Sequence, residues 1–297
     1  MKVVITGANG HLGRRLVRAL AAAHSVVAIV RSVAAKQALA AEVGALAEIV
    51  VCDYGSAADL AIPMADADFV VHLPGIIKQS RDNTFVMAHE NTVAALLQAL
   101  PATRVRGILY LSILGAHVNA LNPCLLSKAR AENLLFDGVV PARIIRVPMV
   151  LGEKDFATRA LAKKARRGLN VELHAASLEQ PIYAGDVIAA LVASIEAGPC
   201  RDVIELAGPE SLSRRALIKR AASVLGRTTR VMSIPLLPGL VVAGLLELLL
   251  ARPPVTRAML GVLDHDDAVA TSAATTKLGI SLTSLDATLR RILLPPT

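Results

Sequence analysis

Thr6-Gly7-Ala8-Asn9-Gly10-His11-Leu12-Gly13 (TGANGHLG) follows directly on the apolar run Lys2–Thr6 and leads into a helical pattern that begins at His11. A glycine-rich turn between a strand and a helix is the context in which such a pattern cradles dinucleotide phosphates. Gly7 permits the tight turn, Gly10 lets the backbone approach a pyrophosphate, and Gly13 allows close helix–strand packing. The helix N-terminus then presents N–H groups and partial positive charge to the phosphates. The plainer alternative is a tight turn that only packs a helix onto a sheet.

Outward from this loop, short β-branched runs alternate with longer Ala/Leu segments. Strands are expected at Lys2–Thr6, Ser25–Arg31, Glu48–Cys52, Asp68–His72, Arg106–Ser112 and Ala142–Val147. Helices are expected near His11–Ala23, Val33–Val43, Thr92–Leu100 and Leu126–Phe136. This alternation means βαβ units, hence an α/β fold with a doubly wound parallel sheet of the Rossmann type. The strands are almost wholly apolar, as parallel strands covered on both faces must be. Beyond about residue 150 the rhythm loosens, with a helix near Leu212–Leu225 and Pro-containing junctions at Gly208-Pro209 and Pro253-Pro254. The expected division is a nucleotide-binding domain over 1–150 and a smaller, interleaved C-terminal α+β lobe over 151–297.

Composition narrows the function classes. Hydrophobic residues make up 54% of the 297 positions, which excludes intrinsic disorder. Aromatics are 2% and Trp is absent, so the core is aliphatic and stacking on nucleic-acid bases is not expected. Lys and Arg number 32 against 24 Asp and Glu, and the balance of +8 favours anionic partners. Cys52, Cys124 and Cys200 are odd in number and widely spaced, which argues against a disulfide framework and for a reducing compartment. The chain opens straight into KVVIT, so no signal peptide is expected and a cytoplasmic location is.

The loop spacing is GxxGxxG, and further segments accompany it: Asp53 after the third strand, HLPG (His72–Gly75), Asn91, SKARAE (Ser127–Glu132), RVPMVLG (Arg146–Gly152), PIYAGDV (Pro181–Val187) and ELAGPESLS (Glu205–Ser213). Together they resemble the extended and atypical short-chain dehydrogenase/reductases. The likeness is strongest to the branch of the nucleotide-binding accessory subunit of respiratory complex I and its bacterial epimerase/dehydratase-like relatives. The resemblance implies that Gly7, Asn9, Gly10, His11, Leu12 and Gly13 line the pyrophosphate. It places Asp53 at the adenine and Leu73, Pro74 and Gly75 along the ribose and phosphates, and it adds Tyr54, Asn91, Lys128 and Pro148 as further cofactor-binding residues. Asp53 has a simpler reading as the cap of a turn at Tyr54-Gly55.

Cofactor choice has a physical argument. A carboxylate about 20 residues past the loop binds the ribose 2′-hydroxyl of NAD, whereas an Arg there accommodates a 2′-phosphate. The run SVVAIVR ends in Arg31, followed by Ser32, and no acid appears before Glu42. NADP(H) is therefore expected over NAD(H).

Proteins of the resembled family usually pair a Tyr-x-x-x-Lys with a Ser from the fifth strand. Here Lys128 stands in place, but four residues earlier is Cys124, a thiol and a poor hydrogen-bond donor. Ser112 offers a hydroxyl, with apolar Ile113 and Leu114 behind it. Two readings follow. One is a reductase or epimerase-like enzyme acting on an apolar (lipid-, quinone- or terpenoid-like) substrate, with Lys128 or a water carrying the proton and Cys124 inert. The other is a non-catalytic dinucleotide-binding sensor or a subunit attached to a respiratory complex.

Other features take plainer readings. LDHDD (Leu263–Asp267) is expected to be a turn and helix cap, with no metal bound. KKARRG (Lys163–Gly168) is expected to be a solvated helix face, and no nucleic-acid motif accompanies it. Arg146 and Asp186 are expected to stabilise the junction of the lobes. The stretch Ile234–Leu250 is apolar around its circumference apart from Glu247, yet shorter than the roughly 20 residues of a membrane span. Burial in the lobe or a lid over an apolar pocket is expected, with docking on a membrane surface as the alternative. A monomer or homodimer is expected.

Overall fold

The computed structural model describes residues 1–80, 82–250, 253, 255–263 and 266–295. Its first elements are β1 (Lys2–Thr6), α1 (His11–Leu20), β2 (Ser25–Val30), α2 (Val33–Val43), β3 (Glu48–Val51), α3 (Ala57–Met64), β4 (Phe69–His72), α4 (Thr92–Ala99), β5 (Gly107–Ile113), α5 (Pro123–Asp137) and β6 (Ala142–Val147). There follow β7 (Val150–Leu151), α6 (Phe156–Ala165), β8 (Leu169–Leu173), β9 (Leu178–Glu179), β10 (Ile182–Tyr183), α7 (Ala184–Glu196) and β11 (Asp202–Glu205). The chain ends with β12 (Leu212–Ser213), α8 (Arg214–Val224), β13 (Arg230–Ile234), α9 (Leu236–Leu249), α10 (Arg257–Leu263), α11 (Ser272–Leu278) and α12 (Leu285–Leu293). These group into two compact units, Met1–Arg146 with Ile188–Ile204, and Val147–Val187 with Glu205–Thr297.

The first unit is a seven-stranded parallel sheet in the order β11-β6-β5-β4-β1-β2-β3. The chain winds one way from β1 and the other way from β4, so the strand order reverses between these two neighbours. Ligands of open α/β sheets bind at such a reversal, beyond the carboxyl ends of the strands. Val3, Val4, Ile5, Ile144 and Ile145 are fully buried, as an apolar strand covered by helices on both faces should be. One face packs Leu60, Leu96, Leu135, Ile108 and Tyr110 into a common core. Each such Leu or Ile contributes roughly 1.5–3 kcal/mol relative to exposure. The unit also takes in residues 188–204, where β11 adds an edge strand beside β6.

Local chemistry sets the helix ends. Ser32 accepts a hydrogen bond from the Ala35 N–H at the start of α2. Helix α5 begins at Pro123 rather than near Leu126, because the Asn122 side chain accepts from the N–H groups of Cys124 and Leu125 and Pro123 takes a first-turn position. Helix α3 has no counterpart in the sequence reading, where Pro63 masks it. Its N-terminus is capped by Ser56, and the proline sits in its last turn.

In the second unit, β7 pairs with β10 and β8 with β13 in parallel, while β9 pairs with β12 antiparallel. Leu151, Leu161, Leu217, Ile218, Leu285 and Leu289 form its core. Arg146 grips Glu132 with two nitrogens, and both Asp186 oxygens accept from Thr283. Of LDHDD, Asp264 and His265 lie outside the described residues, while Asp266 accepts from the Leu178 N–H and the Ser177 hydroxyl. Helix α9 corrects an expectation: it is not buried in the lobe. Only Ala243 is enclosed, and Leu237, Val241, Val242, Leu245, Leu248 and Leu249 are exposed. An unbroken apolar pattern gives no inner and outer face, so the sequence could not tell enclosure from display.

Candidate dinucleotide site

The loop Gly7–Gly10, Arg31, Asp53 and Leu73–Gly75 follow the carboxyl ends of the parallel strands β1, β2, β3 and β4, and so share one edge of the sheet. Gly7 takes φ +73°, where a side chain would be strained. A Cβ on Gly7 would lie 3.2 Å from Pro74 N and 3.3 Å from the Leu73 carbonyl carbon, so the loop after β1 and the HLPG segment after β4 touch backbone to backbone. A Cβ on Gly13 would sit 2.5 Å from Gly7 O and 2.7 Å from Ala8 Cα, a clash with main chain that cannot move aside. Gly10 is the N-cap of α1, and no side chain caps that helix end or places an acid in its first turn. The N–H groups of the first turn are thus left for an anion. These observations fit a dinucleotide pyrophosphate. Asn9 and Leu12 are partly exposed and His11 is exposed on this rim.

Tyr54 is a brace for the loop. Its hydroxyl accepts from the Gly7 N–H at 2.7 Å and donates to Ile29 O at 2.8 Å, and burial pushes its pKa up to about 12. It is 3% exposed, holding the loop from behind. Asp53 is exposed and accepts from the Gly55 N–H at 2.9 Å, the turn-capping geometry. Arg31 is exposed at the end of β2, its guanidinium carbon 5.9 Å from the Tyr54 ring centre. Beside it, Ser32 spends its side-chain oxygen on capping α2. Glu42, the first acid after the loop, is held by Arg14 and Arg18 of α1.

Behind Leu73–Gly75 lies a buried polar cluster. Lys128 Nζ donates to Tyr110 Oη at 3.0 Å, Leu111 O at 3.0 Å and Pro74 O at 3.4 Å, which uses all three of its protons. A Cβ on Gly75 would stand 3.1 Å from that nitrogen. Burial lowers the Lys128 pKa to about 8. Tyr110, from β5, is fully buried, and its pKa is raised by burial first and by Glu132 next. Sequence reasoning missed Tyr110, which looks like any strand residue in GILYLSI. Its spacing from Lys128 matches no motif, and only the fold brings the two together.

Two neutral histidines complete the cluster. Burial lowers the pKa of both His72 and His89 to about 3, with Lys128 adding to the effect. Thr92 Oγ1 donates to Ala88 O and lies 3.2 Å from His72 Nε2, while Thr6 Oγ1 lies 2.9 Å from Nδ1. That pattern assigns the His72 proton to Nε2. His89 Nε2 accepts from the Ile76 N–H, leaving Nδ1–H buried without a partner. Cys124 donates its thiol to Ile76 O at 3.4 Å, and burial pushes its pKa up to about 11, so it remains a thiol at neutral pH. Ser112 Oγ is buried with no partner, on the same face of β5 as Tyr110. The remaining expected residues lie outside this cluster. Asn91 is exposed at the end of a π-helical turn, Val86–Asn91, and Pro148 is buried in the second unit.

A doubly wound sheet with an open phosphate loop at its point of reversal defines an NAD(P)H-binding protein. The chain belongs to the NAD(P)H-binding family, whose model matches residues 7–176. It is 30% identical over 249 residues to a ceramide reductase of Caulobacter vibrioides, covering 82% of this chain and 76% of that one. It is 27% identical over 241 residues to the mitochondrial NADH dehydrogenase [ubiquinone] 1 alpha subcomplex subunit 9 of Arabidopsis thaliana, covering 78% of this chain but only 60% of that protein's length. Among solved structures, a UDP-N-acetylglucosamine 4-epimerase from Bacillus cereus superposes with TM-score 0.72 at 17% identity, covering 99% of this chain and 98% of that one. A nucleoside-diphosphate-sugar epimerase from Pseudomonas aeruginosa gives 0.74 at 23%, with 99% and 96% covered. These structures share the fold, and the likeness to short-chain dehydrogenase/reductases stands.

Proposed function

We propose that the protein is an NADP(H)-dependent reductase of a ketone on a ceramide-like or similarly apolar lipid. The observation that carries this reading is Lys128, a buried amine with a pKa of about 8 packed against Leu73–Gly75. When bound, the reduced nicotinamide supplies a hydride. The chain's own task is to bind the cofactor, exclude water and supply a proton to the product oxygen, and Lys128 is the group of this cluster that titrates near neutrality. Cys124 has no part in proton transfer, since its thiol is buried and its pKa is far above neutral. The exposed Arg31 and the engagement of Glu42 with α1 favour a 2′-phosphate over a free 2′-hydroxyl. The substrate class rests on the likeness to the ceramide reductase.

A second reading, a dinucleotide-binding subunit without turnover, is favoured by one observation: all three Lys128 protons are already engaged by the protein. Steady-state NADPH consumption separates the two. A long-chain keto-amide in mixed micelles should be reduced, and a short-chain ketone poorly. Tight NADPH binding with no consumption across long-chain ketones would establish the subunit reading instead.

A further inference from the structure

We propose that α9 and the outer face of the β8–β13 ladder form a docking surface for an anionic lipid bilayer. The proposal stands on the second unit alone and goes beyond the reductase reading, since docking requires neither cofactor nor reaction.

The ladder pairs Arg230 with Leu169, Met232 with Val171 and Ile234 with Leu173. Because strand side chains alternate, Leu169, Val171, Arg230, Met232 and Ile234 share the exposed face, while Asn170 and Glu172 turn inward and are buried. The apolar strip then continues into α9, whose Gly239 packs against Leu173 at the end of β8. On α9, Leu237 is 73% exposed, Leu248 81% and Leu249 76%. The one charge of the helix, Glu247, is tied to Arg257. Water-soluble surfaces rarely display so continuous an apolar area without a partner.

Charge identifies that partner. Arg166, Arg167, Arg227 and Arg230 gather where the two strands begin. The Arg230 N–H donates to Gly168 O, and Arg227 donates to Arg166 O. All four are exposed, and none has an acidic partner among the described residues. From Arg230 to Ile234 is four residues, or about 13 Å of strand. An interfacial element seats its apolar side about 5–10 Å into the headgroup boundary, so these guanidinium groups reach the phosphate level when α9 is immersed. Helix α9 lies in the interface and does not cross it: no helix among the described residues is long and apolar enough to span a membrane.

The test is flotation of the full-length protein, without cofactor, on vesicles of phosphatidylcholine alone or with about a third phosphatidylglycerol. The expected result is binding to the anionic vesicles only, weakened by about 30-fold in Arg166→Ala/Arg167→Ala, at roughly fivefold per charge. Leu245→Glu/Leu248→Glu should abolish it while leaving circular dichroism and NADPH affinity unchanged, since both side chains are more than half exposed. Equal binding to both vesicles, or none, overturns the proposal. So does a dimer by light scattering that the α9 variant dissociates, which would assign the face to a second copy of the chain. Loss of NADPH turnover with vesicle binding intact would defeat the reductase reading alone.

Discussion

Lys128 holds a buried charge with three protein acceptors, and this sets how the site responds to pH. If Lys128 supplies the proton, reduction needs its protonated form. The rate kcat/KM should be flat below pH 8 and fall about tenfold per pH unit above it. Lys128→Met, which keeps the packing volume, should lower kcat by about 100-fold and remove that fall. Cys124→Ser should leave activity within a few-fold, and a 100-fold loss there would show that the thiol carries the proton. Arg31→Ala should cost roughly 1.5–3 kcal/mol of NADPH affinity and leave NADH affinity alone, as expected for one charge-assisted contact. The histidines give a stability test. Their folded pKa values lie below the unfolded one, so the unfolded chain takes up protons first and stability is lost as pH falls through 6.5 toward 3. By pH 5 the two together should cost about 4 kcal/mol, read as a lower urea midpoint than at pH 7.5. The sequence displayed Lys128, Cys124 and Arg31 as chemistry, because a charged or reactive side chain announces itself wherever it stands. It could not display Tyr110 or His89, whose roles arise from strand–helix packing.

Elements explain why the phosphate loop was legible and α9 was not. The TGANGHLG turn is dictated by steric limits internal to eight residues, so reading them was enough. Gly13→Ala tests this most sharply: its Cβ would collide with Gly7 O and Ala8, so α1 must lift from β1. Dinucleotide binding should fall by at least 100-fold, and the melting temperature should drop by several degrees, as for about 1–3 kcal/mol of overpacking. Tyr54→Phe should weaken binding less, by roughly tenfold, through an unpaired Gly7 N–H. Strands β1 to β6 of the first sheet were legible to within a residue or two because parallel strands are apolar throughout. Helix α9 is apolar apart from Glu247, and there a similar pattern led to the wrong surroundings. Leu249→Asp should accordingly leave the melting temperature unchanged within a degree or two, because that side chain is already in water.

Two units divide the work that one chain must do. The first buries a parallel sheet and exposes a phosphate loop at its reversal. The second carries the apolar helix and the cluster of arginines. The excess of eight positive charges is thus concentrated in part where an anionic surface can meet it, at residues 166, 167, 227 and 230. An interleaved lobe was expected from the sequence but β11 was not, since a four-residue strand such as DVIE is too short to declare its partner. The most direct test of the reductase reading is hydride transfer itself. NADPH deuterated at the reactive C4 position of its nicotinamide would be incubated with the protein and a long-chain keto-amide in micelles, and the lipid product analysed by mass spectrometry. The expected result is one deuterium on the carbinol carbon, transferred from one face of the nicotinamide only, and far less label when NADH replaces NADPH. Unlabelled lipid recovered unchanged from protein that binds NADPH at micromolar concentration would contradict it.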